Sequence, residues 1–394
     1  MRQVYINNTR KSIELMITED KKIVEYYNLE NKKNSSIEGN IYIGEIKSSL
    51  QGMQSFFVDI GEEKNCFLNL SDAEEKFDEQ FGKPQIENIK NKEIYRIGDK
   101  VLLQVKKDAI DNKGAKLTTN ISLTGRYFVL TPNSHFIAVT KKMKDRKIRE
   151  EYVRIVQEYL PKEYGGIIRT NILEASDDEI KREIDELVLR WRKIESEYNT
   201  NKEGKIKLVY QEEDILYKTL KDIMNKDLDK IFVNNRKIEK DIKQLAQVLD
   251  EKYVDKVEYI KTNDLLEEYY LRKKLNKDIQ KRVWLNCGGY LVINKTEALT
   301  AIDVNSGKYT GNKNFETTIF KVNKEAAIEV VRQMRLRNIG GIIIVDFIDM
   351  KNEQNKAELL EILKQEALKD RSKINIKGYT SLNLMEITRK KKNI

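Results

Sequence analysis

The run Ile342-Ile343-Ile344-Val345-Asp346-Phe347 limits the folding of this chain more than any other segment. Four β-branched residues in a row are too few for a helix, and after Gly340-Gly341 they read as a strand. Apolar side chains at successive positions predict a strand buried on both faces, as in a layered α/β domain. A second run, Leu299-Thr300-Ala301-Ile302-Asp303-Val304, has the same character. Between them, residues 315–337 carry Ile319, Val322, Ala326, Val330 and Met334 at helical spacing. Gly340-Gly341 is expected to stop that helix. A strand over 289–294, a helix over 357–368 and strands over 374–379 and 383–388 complete an α/β domain, taken as residues 278–394.

Both apolar runs deliver an aspartate, Asp303 and Asp346. A carboxylate at the end of a hydrophobic strand is costly unless it meets a cation or a partner. Side by side, the two would repel unless a cation lay between them, and hard oxygen ligands suit Mg²⁺. Such an ion would polarise a phosphodiester and lower the pKa of a bound water. Asn305, two residues on from Asp303, would point the same way and hold either the phosphate or the attacking water. The alternative is structural: the aspartates cap helices or pair with lysines.

The rest of the chain is organised around other strand-rich segments. Residues 1–35 alternate as a small meander, with a polar linker at 31–36. Residues 36–125 hold five short strands interrupted by a charged helical segment from Ser71 to about Lys92, a pattern that suits an OB-type barrel. Residues 126–215 mix short strands and helices, and Ser176-Asp177-Asp178-Glu179 is a capping box that opens a long helix. Residues 216–277 alternate helix and strand and would pair with the N-terminal meander across the insertion, or would stand apart from it.

Composition narrows the chemistry. Lys and Arg number 73 against 64 Asp and Glu, an excess of 9 that favours polyanions through counterion release. A single histidine, His135, leaves little room for imidazole-based acid–base chemistry, and its Pro-Asn-Ser-His setting reads as a solvated turn. Cys66 and Cys287 form no metal or disulfide pattern, so no zinc site is expected and a reducing compartment fits. No apolar run is long enough to span a membrane, and the N-terminus lacks a signal-peptide core. Gly307-Lys308-Tyr309-Thr310 hints at a phosphate loop, but the spacing fails and an NTPase is excluded.

Within the barrel segment, Phe57 and Phe67 fall on strands that would lie side by side, near Lys106, Lys107, Lys113 and Lys116. Exposed aromatics beside a basic groove bind single-stranded nucleic acid, although either ring would serve equally as core. Phe56 and Phe57 face opposite ways, so one of them is core. Arg169-Thr170 offers a guanidinium fork and a hydroxyl for a phosphate; a surface salt bridge is the alternative.

At these residues the sequence resembles the ribonuclease E/G family. The most specific stretches are residues 296–307, Thr-Glu-Ala-Leu-Thr-Ala-Ile-Asp-Val-Asn-Ser-Gly, and residues 335–350, from Arg-Leu-Arg-Asn-Ile-Gly-Gly to Val-Asp-Phe-Ile-Asp-Met. Residues 40–44, 54–61, 125–127 and 166–170 are also similar. The resemblance implies an RNase H-like part split over 1–35 and 216–277, an S1-type OB barrel over 36–125, a 5′-sensor region over 126–215 and a DNase I-like catalytic domain over 278–394. It implies Mg²⁺ held by Asp303 and Asp346, with Asn305 positioning the scissile phosphate. It assigns Arg169 and Thr170 to a substrate 5′-monophosphate, and Phe57, Phe67 and Lys113 to the RNA path, where Lys107 is a further candidate from its place in the lysine cluster. The implied activity is cytoplasmic cleavage of single-stranded RNA, in rRNA maturation and mRNA decay, leaving 5′-phosphate and 3′-hydroxyl ends. Members of the family continue past a stretch like Thr388-Arg389-Lys390 into a Cys-Pro-x-Cys zinc motif that joins two protomers. This sequence has no such cysteines, so a homodimer would form without that link. The rival readings are a non-catalytic RNA-binding protein and an rRNA-binding assembly factor.

Overall fold

The computed structural model describes residues 1–30, 36–50, 54–73, 95–109, 113–201, 204–225, 227–307 and 315–391. They divide into two compact units, one built from residues 1–33 and 226–392, the other from 34–225. The expected linker at 31–36, most of the charged segment after Ala73, and Lys308-Tyr309-Thr310 lie outside the described residues.

In the first unit, Arg2–Asn8, Ser12–Glu19 and Lys22–Glu30 form an antiparallel meander. Asp20 and Lys21 both take positive φ at the second turn, as a tight hairpin of right-twisted strands requires. The first strand then pairs in parallel with Leu228–Val233, Val4 facing Ile231, and that strand pairs with Val257–Tyr259. Chain segments separated by more than 200 residues therefore share one sheet. The helix Arg236–Leu249 follows, its first amides capped by the Asn235 side chain.

The same unit holds a six-stranded sheet in the order Arg282–Trp284, Tyr290–Lys295, Leu299–Asn305, Gly341–Asp346, Met385–Arg389 and Ile374–Tyr379. Only Leu299–Asn305 and Gly341–Asp346 run parallel, and the helix Phe315–Leu336 connects them. Parallel neighbours require such a crossover. This helix and Glu353–Leu368 cover one face, where Ile302, Val304, Ile343 and Val345 join Val322, Ala326 and Leu359 in a single core. The opposite face is open: Ile342 is 48% exposed, and Asp303 and Asp346 are both exposed. The expectation of a strand buried on both faces is thus corrected. Among the described residues, helices lie on one side of a largely antiparallel sheet, and such a sheet can present its other face to water. The stop signal is corrected too. The helix ends at Leu336, and Asn338 at φ 47° makes the left-handed reversal ahead of the glycines.

The second unit contains a closed five-stranded barrel of the OB type. Its strands are Ile41–Leu50, Ser55–Asp59, Cys66–Asn69, Lys116–Thr118 and Lys100–Lys107, the last pairing back onto the first. Lys207–Tyr210, too short to show a period in the sequence, extends the sheet beside Ile41–Leu50. Of the expected charged helix, Leu70–Ala73 is helical within the described residues. A smaller sheet combines Leu123–Thr124, Phe128–Thr131, Gly165–Ile168 and Ile137–Val139. The helix Asp177–Thr200 opens on the expected capping box at Ser176 and Glu179 and buries Ile180, Ile184, Leu187, Val188, Trp191 and Ile194. The helix Ile215–Ile223 groups with this unit and not with the strand that follows it. Among the described residues, no helix is long and apolar enough to cross a membrane.

Candidate functional site

Strand register brings the two aspartates together, Asp346 at the end of its strand and Asp303 two residues before the end of its own. Asp303 and Asp346 are direct partners across the parallel pair. Ile302, Val304 and Val345 are anchored in the core, so strand alternation turns both carboxylates onto the open face. Asn305 follows on that face, and its Nδ2 donates to Asp303 Oδ2 at 2.7 Å. The structural alternative for these aspartates is not what the fold uses: neither caps a helix, and neither is ion-paired to a lysine or arginine among the described residues.

The local field is negative. Burial first, then the charges of Asp303 and Asp349, push the Asp346 carboxyl above its ordinary range. Asp349 was missed by the reading of strand ends because it lies past the strand, although the spacing Asp346-Phe347-Ile348-Asp349 was visible. Two facing carboxylates with a third nearby, and no compensating cation among the described residues, form a donor set that fits a hard divalent ion. Among the described residues, no three His, Cys, Asp or Glu side chains converge as a closed metal cage. A site with two protein carboxylates leaves coordination positions for water and phosphate, as Mg²⁺ prefers.

Close backbone packing sets the end of the Asn305 strand. Gly307 takes φ 62°, and a side chain there would collide with the Gly288 carbonyl. Sequence spacing gave no sign of that contact.

On the barrel, Phe57 and Phe67 face each other across neighbouring strands, ring centroids 6.2 Å apart, while Phe56 is buried. The row continues from Phe67 to Lys116 and from Lys116 to Lys107. The lysine cluster is smaller than the sequence suggested. Lys106 and Lys116 both pair with Asp72, at 2.7 Å for Lys116. Lys107 and Lys113 are exposed, with no ion pair among the described residues.

Arg169 sits at the end of Gly165–Ile168, and Thr170 starts a short 3₁₀ turn. The salt-bridge alternative is present: Arg169 meets Asp222 at 2.9 Å and donates to the Gly125 carbonyl at 2.5 Å. Glu183 organises the segment that supplies that carbonyl, accepting from the backbone N–H groups of Arg126, Tyr127 and Phe128 at 2.7, 2.7 and 2.9 Å. Burial raises the Glu183 carboxyl even against those three donors. Neither Glu183 nor Asp222 was legible as a site residue, since each acts through a partner more than 50 positions away. His135 is exposed, as its turn suggested.

The Ribonuclease E/G family model matches residues 122–392 of this chain. Ribonuclease G of Escherichia coli strain K12 is 34% identical over 374 residues, covering 94% of this chain and 76% of that protein. Ribonuclease G of Haemophilus influenzae is 34% identical over 374 residues, covering 92% and 74% respectively. Ribonuclease E of Synechocystis is 31% identical over 360 residues, covering 90% of this chain and 52% of that longer protein.

Proposed function

The chain belongs to the ribonuclease E/G family and is an endoribonuclease; from that premise we propose that it cuts single-stranded RNA with Mg²⁺ held at Asp303 and Asp346. The observation that carries this reading is the pairing of those two aspartates on the open sheet face, with Asn305 bonded to one of them. Bound there, Mg²⁺ would supply Lewis-acid polarisation of the phosphodiester and a more acidic water. Asn305 keeps one amide donor on Asp303, which fixes that carboxylate, and its other polar atoms are available to the phosphate or to the water. Water oxygen bonds to phosphorus as the P–O3′ bond breaks, so one product carries a 5′-phosphate and the other a 3′-hydroxyl. The test compares a single-stranded oligoribonucleotide with its duplex, in Mg²⁺ and after chelation. Product is expected only from the single strand with Mg²⁺; equal cutting of both, or cutting after chelation, would count against the reading.

In this proposal the six-stranded sheet with its helices is the DNase I-like catalytic part, and the N-terminal meander with its parallel partners is the RNase H-like part. The barrel is the S1-type RNA-binding element, with Phe57, Phe67, Lys107 and Lys113 along its surface. Stacking a base on one ring contributes about 1–3 kcal/mol. Phe57→Ala is therefore expected to weaken single-stranded RNA binding roughly tenfold, with little change in melting temperature because that ring is not core. Anisotropy titration in EDTA measures it, and unchanged affinity would remove Phe57 from the RNA path.

Arg169 and Thr170 are proposed to recognise a substrate 5′-monophosphate, which would replace Asp222 as the partner of the guanidinium. Cleavage of 5′-monophosphorylated RNA is expected to exceed that of 5′-hydroxyl RNA, and Arg169→Ala is expected to close the gap. A gap that survives in the variant would place 5′ recognition elsewhere. rRNA maturation and mRNA decay in the cytoplasm are the proposed roles.

A further inference from the structure

The open face that carries Asp303 and Asp346 also carries an aromatic and cationic surface that no strand-end pattern announced. Arg282–Trp284 is only three residues long, but Val283 is held in the core, so Arg282 and Trp284 both turn to the open face. Trp284 lies opposite Tyr290, and Tyr290 lies opposite Asn305. One step along the strands, Arg282 lies opposite Val292, Val292 opposite Asp303, and Asp303 opposite Asp346. Neighbouring strands are about 4.8 Å apart. The Tyr290 side chain therefore starts one strand spacing from Asn305, and that of Trp284 one spacing further.

Trp284 is 58% exposed, costly placement for the largest apolar side chain. Its ring centroid lies 5.2 Å from that of Tyr290, with the planes at 58°. The Arg282 guanidinium stands 4.6 Å from the Tyr290 centroid and 6.0 Å from that of Trp284. No carboxylate pairs with Arg282 among the described residues. An exposed ring and a half-buried one with an uncompensated guanidinium against both match a nucleotide: the base stacks and the cation meets the backbone phosphate. Their charge suits RNA, whereas the neighbouring aspartates would repel it without a metal.

We infer that Trp284 and Tyr290 stack a base next to the scissile phosphate and that Arg282 holds the adjoining phosphate, so that together they set which phosphodiester reaches Asp303 and Asp346. The three are positioning residues for the cut. The inference rests on the proposed role of the two aspartates, but its first test does not. The chain has two tryptophans, and the other, Trp191, is buried in the second unit. Titrating a non-self-pairing oligoribonucleotide in EDTA is expected to quench tryptophan fluorescence in the parent chain, and at least as strongly in Asp303→Asn, which removes one of the repelling charges. The quench is expected to vanish in Trp284→Phe, which keeps a stacking ring. A quench that survives in Trp284→Phe, or an oligonucleotide that binds without quenching, would overturn the inference whatever the cleavage result.

In cleavage assays, Trp284→Ala is expected to raise KM roughly 5- to 150-fold, the loss of one stacked base. Cuts fixed at one phosphate in the parent are expected to spread to its neighbours. Tyr290→Ala should reproduce the spread if Trp284→Ala does not fold. Unchanged KM and cut position in both folded variants would also overturn it, as would a surface that proves to be buried between two copies: dimers lost in Trp284→Ala with no RNA-dependent quench.

Discussion

Asp303→Asn is expected to cut RNA at least ~10³-fold more slowly than the parent while binding it with nearly the same affinity. The substitution keeps the shape and can still accept the Asn305 amide, but it removes one of two charges that face each other across the strand pair. Loss of a metal ligand forfeits several kcal/mol of transition-state stabilisation, and about 1.36 kcal/mol is a factor of ten in rate. Folding should not suffer. The carboxyl of Asp346 is raised by burial and then by the neighbouring charge of Asp303. Removing that charge relieves repulsion, so the variant should melt no lower than the parent. Single-turnover cleavage, anisotropy in EDTA and a thermal melt separate the three quantities. A variant that melts lower and binds RNA poorly would make Asp303 a structural residue.

The second large effect concerns stability. Arg335, 6% exposed on the helix Phe315–Leu336, donates to Glu19 at 2.9 and 3.2 Å and to Glu25 at 3.3 Å. Glu25 is 2% exposed and also meets Arg371 at 2.5 Å. Arg335→Ala would leave buried Glu25 and partly buried Glu19 undercompensated. Breaking one partner of a buried pair costs about 3–5 kcal/mol. For a unit of this size the melting temperature should fall on the order of 10 °C. Acid sensitivity should shift as well. Burial pushes the Glu19 carboxyl up, but Arg335 and Arg2 outweigh it and the net value is lowered. A lowered carboxylate stabilises the fold above its unfolded value, about 4.3 for Glu, and that stabilisation is lost as pH falls through the folded value. Without Arg335 the folded value rises toward the unfolded one, so the variant should have less of this stabilisation to lose on acidification. Melting curves from about pH 3 to pH 7 measure both effects; a drop of less than about 2 °C at neutral pH would show that Arg335 is not needed to neutralise Glu19 and Glu25.

The chemistry-bearing residues were legible wherever strand periodicity governed them. Asp303 and Asp346 follow apolar runs, so both their strands were legible from spacing, while their juxtaposition was a condition that the strand register met. Phe56 and Phe57 had to diverge because successive strand residues do. What periodicity cannot see is which face another layer covers. Ile342 therefore read as core, yet it is half exposed, because both helices pack on one side. Trp284 escaped notice because a strand of three residues gives no period. Arg335, Glu19 and Glu25 are ordinary surface residues in sequence, and their pairing spans some 310 positions. The apparent four-lysine cluster shrank because Asp72, more than 30 positions away in sequence, folds back onto two of them. Asn338 ends its helix through a left-handed conformation available to asparagine, which the glycines behind it obscured.

The most direct test of metal-dependent cleavage at the paired aspartates is incubation of a 5′-monophosphorylated AU-rich oligoribonucleotide with the parent chain and with Asp303→Asn, in Mg²⁺ and in EDTA, with the product ends identified by mass. The expected result is fragments with 5′-phosphate and 3′-hydroxyl ends from the parent in Mg²⁺, and intact RNA in the other three reactions. Oligonucleotide that stays bound and uncut by the parent in Mg²⁺ would make this chain an RNA-binding protein without turnover, and fragments from Asp303→Asn at the parent rate would place the cutting site elsewhere.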